Sequence, residues 1–134
     1  MTEKEYVPVR DVMKSDVETI DGLMTVSEAA EHMRAKKIGN LIVERRGEFD
    51  EYGLLSVRDI ANKVIEPDRA PARTNVYEIM TKPVLSLDAQ MNIRYAIRQL
   101  TQFNLHRALV LDQGKAVGVV TLRDMVLRYL QYHH

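Results

Sequence analysis

The amino-acid sequence predicts an α+β fold that consists of one β-α-β-β-α unit present twice. The heptapeptide GLLSVRD at 53–59 returns as GVVTLRD at 118–124, and VRDVM at 9–13 returns as VYEIM at 76–80. Apolar positions of the two copies align at an offset of 67 residues, which becomes 65 from Gly53 onward. Self-similarity at a fixed period is the signature of a tandem repeat.

Each copy begins with a short helical turn and a short strand, VETI at 17–20 and VLSL at 84–87. An amphipathic helix follows, because apolar residues recur at the i, i+3, i+4, i+7 spacing of one helix face. These faces are Val26, Ala29, Ala30 and Met33 in the first copy and Ile93, Ala96, Ile97 and Leu100 in the second. Thr25 with Glu28 predicts a capping box, and Asn92 predicts an N-cap.

Two strands then form a hairpin in each copy, LIVE at 41–44 with YGLL at 52–55, and ALVL at 108–111 with AVGVV at 116–120. Gly114 in the second hairpin turn can adopt the positive φ that tight turns need. The last helix of each copy begins in the heptapeptide. Its predicted apolar face is Val57, Ile60, Ala61 and Val64 in the first copy, and Leu122, Met125, Val126 and Tyr129 in the second.

The prolines and polar residues at 66–75 predict a linker. We assign repeat 1, with the N-terminal segment, to residues 1–66, the linker to 67–75 and repeat 2 to 76–134. One repeat alone has too little apolar surface to be stable. The two repeats are therefore expected to pack sheet to sheet with pseudo-two-fold symmetry as one module, leaving two equivalent clefts where a ligand is expected.

Composition restricts the function. Nineteen basic residues balance nineteen acidic ones among 134, which weighs against a nucleic-acid binder. The chain has no cysteine, its polar opening is unlike a signal peptide, and it has no apolar run long enough to span a bilayer, so we predict a cytoplasmic protein that does not bind a membrane. No catalytic motif is present, and His32 and His106 are the only internal histidines, so neither catalysis nor a metal site is predicted.

Two repeats that each open with V-x-[DE]-[VI]-M and end with G-h-h-[ST]-x-x-D, where h is apolar, resemble a tandem pair of CBS domains, or Bateman module. The resemblance extends from about Val9 to Leu130. It implies a regulatory module that binds an adenine nucleotide, such as AMP, ADP or ATP, in the cleft between the repeats, with S-adenosylmethionine and NAD as further candidates. It also implies a homodimer, a regulated partner protein that the sequence does not identify, and no enzymatic activity.

The resemblance also assigns roles within the two heptapeptides. In the family pattern, the hydroxyl residue contacts phosphate and the aspartate hydrogen-bonds to the ribose hydroxyls. The first copy has Ser56 and Asp59 at these positions, and the second has Thr121 and Asp124. Both copies therefore carry the residue types that the pattern requires.

A second element distinguishes the two copies. LHRALVLD at 105–112 resembles the phosphate-contacting stretch of nucleotide-binding relatives, which would place His106 and Arg107 near phosphate. The first copy has Gly39 and Asn40 at the equivalent positions. The second copy is therefore expected to be the better phosphate site.

Elementary chemistry supports the same division of roles. Backbone N–H groups, a hydroxyl and an arginine suit a phosphate at a helix N-terminus, whereas a carboxylate suits a diol. Alternative roles stay open, because S-x-x-D and T-x-x-D also cap helices, Arg107 also fits a surface salt bridge, and His106 also fits a packing role. The alternative function is a ligand-free dimerisation or protein-interaction scaffold, and an enzyme that acts on nucleotides is the least favoured reading.

Overall fold

The computed structural model describes residues 6–131 and contains two three-stranded sheets with flanking helices. The predicted α+β class is thereby confirmed. One compact unit, the first-repeat unit, comprises Val17–Val84. The other, the second-repeat unit, combines the segment up to Asp16 with the chain from Leu85 onward. The VRDVM motif therefore belongs to the second-repeat unit, and the VYEIM motif belongs to the first-repeat unit.

In the first-repeat unit, the central strand β2 pairs in parallel with β1 and antiparallel with β3. The elements are β1 (Thr19–Ile20), α1 (Val26–Lys36), β2 (Asn40–Val43), β3 (Gly53–Ser56), α2 (Val57–Ile60) and α3 (Val76–Ile79). A π-helical turn at Ala61–Ile65 continues α2, and a 3-10 turn at Pro71–Arg73 precedes α3. The first strand is shorter than the predicted VETI stretch.

In the second-repeat unit, the central strand β5 pairs in parallel with β4 and antiparallel with β6. The elements are a 3-10 turn (Val9–Asp11), β4 (Ser86–Asp88), α4 (Ile93–Gln102), β5 (Arg107–Asp112), β6 (Lys115–Thr121) and α5 (Leu122–Leu130). Gln113 and Gly114 form the hairpin turn with φ of 51° and 81°, which confirms the role predicted for the glycine.

Each unit buries its own apolar core. The core of the first-repeat unit is Ile20, Val26, Ala29, Met33, Leu41, Val43, Leu55, Val64, Val76 and Ile79. The core of the second-repeat unit is Val7, Val9, Leu87, Ala89, Ile93, Ala96, Leu100, Ala108, Val110, Val120 and Met125. These sets contain most of the predicted apolar face of α1 and of α4. Of the face predicted for the last helix of the first copy, Ile60 and Val64 reach the core, whereas Val57, at the first position of α2, and Ala61 are exposed.

The predicted helix caps are confirmed. The Thr25 hydroxyl accepts a hydrogen bond from the Glu28 backbone N–H at 3.2 Å, and Glu28 returns the contact to the Thr25 N–H at 3.0 Å. The Asn92 side chain caps α4 by accepting from the Arg94 N–H at 3.2 Å. These local bonds satisfy N–H groups that have no partner within the helix.

A short backbone pairing closes each sheet, in the sense that it gives the edge strand, β3 or β6, a partner on its free side. In the first-repeat unit, Leu54 and Thr81 exchange N–H···O=C hydrogen bonds, both of 2.9 Å. In the second-repeat unit, Lys14 and Val119 exchange bonds of 2.9 and 3.1 Å. The residues that follow α3 and the VRDVM turn therefore pair with β3 and β6, respectively.

The glycine of each heptapeptide makes room for this pairing. A Cβ atom on Gly118 would lie 2.7 Å from the Lys14 carbonyl oxygen and 2.8 Å from Met13 Sδ. A Cβ atom on Gly53 would lie 2.6 Å from Met80 Sδ. The methionine of each opening motif thus packs on the glycine of a heptapeptide, which explains in physical terms why both motifs recur.

Asp50 ties down the loop between β2 and β3. Its Oδ2 atom accepts hydrogen bonds from the Arg46 N–H at 2.8 Å and from Lys82 Nζ at 2.9 Å. The bond from Lys82, followed by the N–H groups of Arg46 and Glu51, lowers the pKa of Asp50 from 3.8 to about 2. A carboxyl with a lowered folded-state pKa stabilises the fold above its unfolded pKa and loses that contribution as the pH falls through the folded pKa. The Asp50 carboxylate is therefore charged at neutral pH, and its hydrogen bonds from Arg46 and Lys82 are intact.

We expect Gly118→Ala to destabilise the chain by about 1–3 kcal/mol, because a backbone oxygen must move to admit the methyl group. Gly53→Ala should cost less, because the end of the Met80 side chain can move. Gly47→Ala is the control, since a Cβ atom there meets nothing within 4 Å. Urea denaturation would measure the three changes, and a Gly118→Ala variant as stable as Gly47→Ala would contradict the close approach.

We also expect the Asp50 carboxyl to titrate with a midpoint near pH 2 in an NMR titration of the folded chain. Lys82→Met removes the largest cause of the shift and should move the midpoint toward 3.8, so the stabilising contribution of Asp50, which is fully present above pH 3.8, should shrink. A wild-type midpoint near 3.8 would show that the Lys82 contact is absent in solution.

Candidate functional site

The second heptapeptide forms the junction between β6 and α5. Thr121 is the N-cap of α5, and its hydroxyl oxygen accepts a hydrogen bond from the Asp124 N–H at 3.1 Å. Leu122 N–H donates to the His106 carbonyl at 2.8 Å. Arg107 lies directly opposite Thr121 in the β5–β6 ladder. The fold thus brings His106, Arg107 and Thr121 together, although the sequence separates them.

An open cavity of about 520 Å³ lies at this junction. It is lined by His106, Arg107, Thr121, Leu122, Arg123, Val126 and Leu127. Three of the four site residues predicted in the second copy therefore share one cavity. The apolar wall was not part of the predicted site, because Leu122 and Val126 were assigned to the core-facing side of α5. The sequence signal that could have indicated the wall is Leu127, an apolar residue outside the predicted core-facing side, which the structure shows half-exposed.

Asp124 lies in the first turn of α5 but is not part of that lining. Its side chain is 29% exposed, and its Oδ1 atom lies 3.8 Å from Arg123 Nη1. Within residues 6–131, Arg123 is the only ion-pair partner of this carboxylate, and the carboxylate does not complete a capping box with Thr121. The hydroxyl and the carboxylate of this copy are therefore separate features of one helix start.

The first heptapeptide caps α2 more completely. Ser56 donates to Asp59 Oδ2 through both its backbone N–H and its hydroxyl, at 3.0 Å each. The Asp59 N–H returns a hydrogen bond to Ser56 Oγ at 3.1 Å. Both predicted residues thus form a full capping box, with Ser56 buried.

The remaining oxygen of Asp59 is also engaged. Thr81 Oγ1 donates to Asp59 Oδ1 at 3.4 Å, and Lys63 Nζ lies 3.6 Å from the same atom. Lys63 also donates to the Ile79 carbonyl at 3.1 Å, so it connects the helix to the segment that closes the sheet. The Asp59 side chain is only 14% exposed. The two aspartates, equivalent in the sequence, therefore have different surroundings.

Other sites are not evident in the described chain. No group of three or more histidine, cysteine, aspartate or glutamate side chains within residues 6–131 could hold a metal ion. None of the described helices has the length and apolar character needed to cross a bilayer.

Comparisons with known proteins place these features in a family. The CBS domain family matches residues 9–66 and again 76–130. The CBS domain-containing protein YhcV of Bacillus subtilis is 30% identical over 122 residues, which cover 91% of this chain and 85% of YhcV. An uncharacterized protein of Methanopyrus kandleri is 30% identical over 122 residues, and the match covers 90% of this chain and 61% of that protein. This chain thus corresponds to less than two thirds of that relative.

A solved structure is similar in fold. The hexameric CBS-CP12 protein from bloom-forming cyanobacteria superposes with a TM-score of 0.88 at 30% sequence identity. The match covers 96% of this chain and 77% of that protein.

The contrast between the two aspartates predicts different effects of the same substitution. Asp59→Ala removes half of a capping box and the contacts with Lys63 and Thr81, so we expect a loss of about 1–3 kcal/mol of folding free energy. Asp124→Ala should cost clearly less, because only the charge near the helix N-terminus and an exposed contact with Arg123 are lost. Urea denaturation of both variants would measure this, and equal losses would contradict the difference between the two copies.

Proposed function

Because the chain belongs to the CBS domain family, as a tandem pair of CBS domains, we propose that it is a regulatory module that senses an adenine nucleotide at the start of α5. The phosphate would bind at the N-terminus of α5, to the Thr121 hydroxyl and to Arg107. His106 would lie beside it. This role requires no catalysis by the chain itself.

The observation that supports the proposal most strongly is the shared cavity of His106, Arg107 and Thr121 with its apolar wall. A nucleotide needs a polar site for phosphate beside an apolar surface for its base. The wall of Leu122, Val126 and Leu127 suits a base.

Asp124 suits the ribose. A carboxylate would repel phosphate at the same point, and Asp124 lies outside the cavity lining that holds Arg107. Its partly exposed carboxylate could accept hydrogen bonds from two ribose hydroxyls, as acidic residues do in other nucleotide folds. AMP, ADP and ATP are the first candidates, followed by S-adenosylmethionine and NAD.

Ser56 and Asp59 stay predicted ligand residues, and we propose that they form the weaker site. A ribose would have to displace Lys63 and Thr81 from the Asp59 carboxylate and open its capping box. The first copy also has Asn40 where the second has Arg107, which removes a cation from the phosphate position.

The chain is also proposed to self-associate, at least as a homodimer, and to pass its signal to a partner protein. The hexameric state of the similar CBS-CP12 protein supports self-association. The second candidate function is a scaffold that dimerises or binds a protein without a nucleotide. The half-exposed Leu127 and Leu130 on α5 favour it, since exposed apolar residues on a helix can serve as contacts.

A ligand panel separates the two functions. AMP, ADP, ATP, S-adenosylmethionine and NAD would each be added to the chain in a thermal-shift assay, since a ligand that binds only the folded state stabilises it by mass action. For the best ligand, calorimetry should show that Arg107→Ala and Asp124→Ala each weaken binding about 10-fold or more, because each removes a hydrogen bond to or from a charged group.

Asn40→Ala is the matched control, because Asn40 occupies in β2 the position that Arg107 occupies in β5. It should change the dissociation constant by less than about threefold. If no compound raises the melting temperature at millimolar concentration, the scaffold replaces the sensor. Equal effects of Asn40→Ala and Arg107→Ala would mean that the phosphate binds elsewhere.

A further inference from the structure

The loop between β2 and β3, residues 44–52, carries the most exposed of the large apolar side chains. Phe49 is 98% exposed, so its ring has almost no contact with the chain that carries it. A single exposed apolar residue is common and needs no explanation. An aromatic ring on a rigid support is different, because it loses little conformational entropy when a partner covers it.

The support of Phe49 is rigid. Asp50, the next residue, accepts hydrogen bonds from the Arg46 N–H and from Lys82, and its own N–H donates to the Gly47 carbonyl at 3.2 Å. Lys82 Nζ also lies 2.8 Å from Asp50 Oδ1, so the ammonium contacts both carboxylate oxygens. The loop is thus held on both sides of Phe49.

An open pocket of about 610 Å³ lies beside the same loop. It is lined by Leu23, Arg46, Asp50, Tyr77, Met80 and Lys82. Leu23 is 60% exposed and Tyr77 is half-exposed, so this apolar surface faces solvent. The volume is within the usual range of ligand pockets and is ample for one phenyl ring. The chain's own Phe49 does not fill it.

Charges around the loop are arranged in two groups. Arg45 and Arg46 precede Phe49, and their guanidinium groups lie over the rings of Tyr52 and Tyr77, at 5.1 and 5.9 Å from the centroids. Exposed Glu48 and Glu51 flank Phe49. Within the described residues, none of these four side chains is in an ion pair. After the exposed Glu44, the loop is therefore basic at Arg45 and Arg46 and acidic around the phenyl ring.

We propose that this loop is a self-association surface, in which Phe49 of one copy enters the pocket beside Tyr77 of a second copy. Ring and pocket belong to the same surface of one chain. A two-fold axis therefore places the Phe49 ring of each copy in the pocket of the other and limits this assembly to two copies. Two such loops that run antiparallel also place Glu48 and Glu51 of each copy beside Arg45 and Arg46 of the other. The contact does not depend on a nucleotide.

Site-directed cross-linking tests the contact directly, because the natural chain has no cysteine. A Phe49→Cys chain and an isotopically labelled Leu23→Cys chain would be mixed and treated with a short bis-maleimide, without nucleotide. We expect a cross-linked pair of one labelled and one unlabelled chain. Phe103→Cys replaces Phe49→Cys in the control, since Phe103 is also an exposed aromatic residue, at 58%, on another element. A mixed pair no more abundant than in this control would overturn the proposal.

Sedimentation equilibrium supplies a second measurement. Phe49→Ala removes both rings of the reciprocal contact and should weaken the association about 100-fold or more, since one buried aromatic side chain accounts for about 10- to 100-fold. Phe103→Ala should leave the constant unchanged. Arg46→Glu alone should weaken association, and mixing it with Glu48→Arg chains should restore it by pairing opposite charges. A chain that stays monomeric at all concentrations, or a Phe49→Ala variant that associates like the wild type, would refute the contact.

Discussion

A short backbone pairing across a glycine closes each sheet, between Thr81 and Leu54 in one unit and between Lys14 and Val119 in the other. The pairing needs two backbones to approach where a side chain would collide, and Gly118 is the clearest case. Once it forms, the strand that contains the first four residues of each heptapeptide has a neighbour on both sides. The start of the following helix, and with it the candidate site, is thereby held in place.

The same closing segments explain why the two copies differ. In the first-repeat unit the segment presents Thr81, whose hydroxyl reaches Asp59, and Lys63 connects that aspartate to the Ile79 carbonyl. The second-repeat unit has Lys14 at the position of Thr81, so no hydroxyl is available there. Its equivalent of Lys63 is Arg128, whose guanidinium donates to the Asp11 carbonyl at 3.4 Å and makes no ion pair with Asp124 within residues 6–131. Two substitutions between the copies thus leave one aspartate engaged and the other more accessible.

Local chemistry made much of the fold predictable. Thr25 with Glu28, Asn92, Gly114 and the apolar faces of α1 and α4 act through neighbours within a few residues, and each was predicted correctly. The segment after each opening motif pairs with the sheet of the other repeat, Lys14 with Val119 and Thr81 with Leu54. This exchange of closing segments was not predicted, because Lys14 and Val119 lie far apart in the sequence. The heptapeptides were recognised, and the Arg107–Asn40 difference pointed to the second copy. The partners of Asp59 were not predicted, because Thr81 reaches it only through the tertiary fold.

The exchange of closing segments sets an order for folding during synthesis. Every part of the Val17–Val84 unit has been translated before the chain from Leu85 onward is made, so this unit can assemble early. The segment that contains Val7, Val9 and Lys14 is made first, yet its core and its partner strand β6 are among the last parts to be translated. An early-made apolar segment must therefore wait, exposed, until nearly the whole chain exists. The non-local closure of the second-repeat unit is the step most open to capture by a chaperone or by another nascent chain.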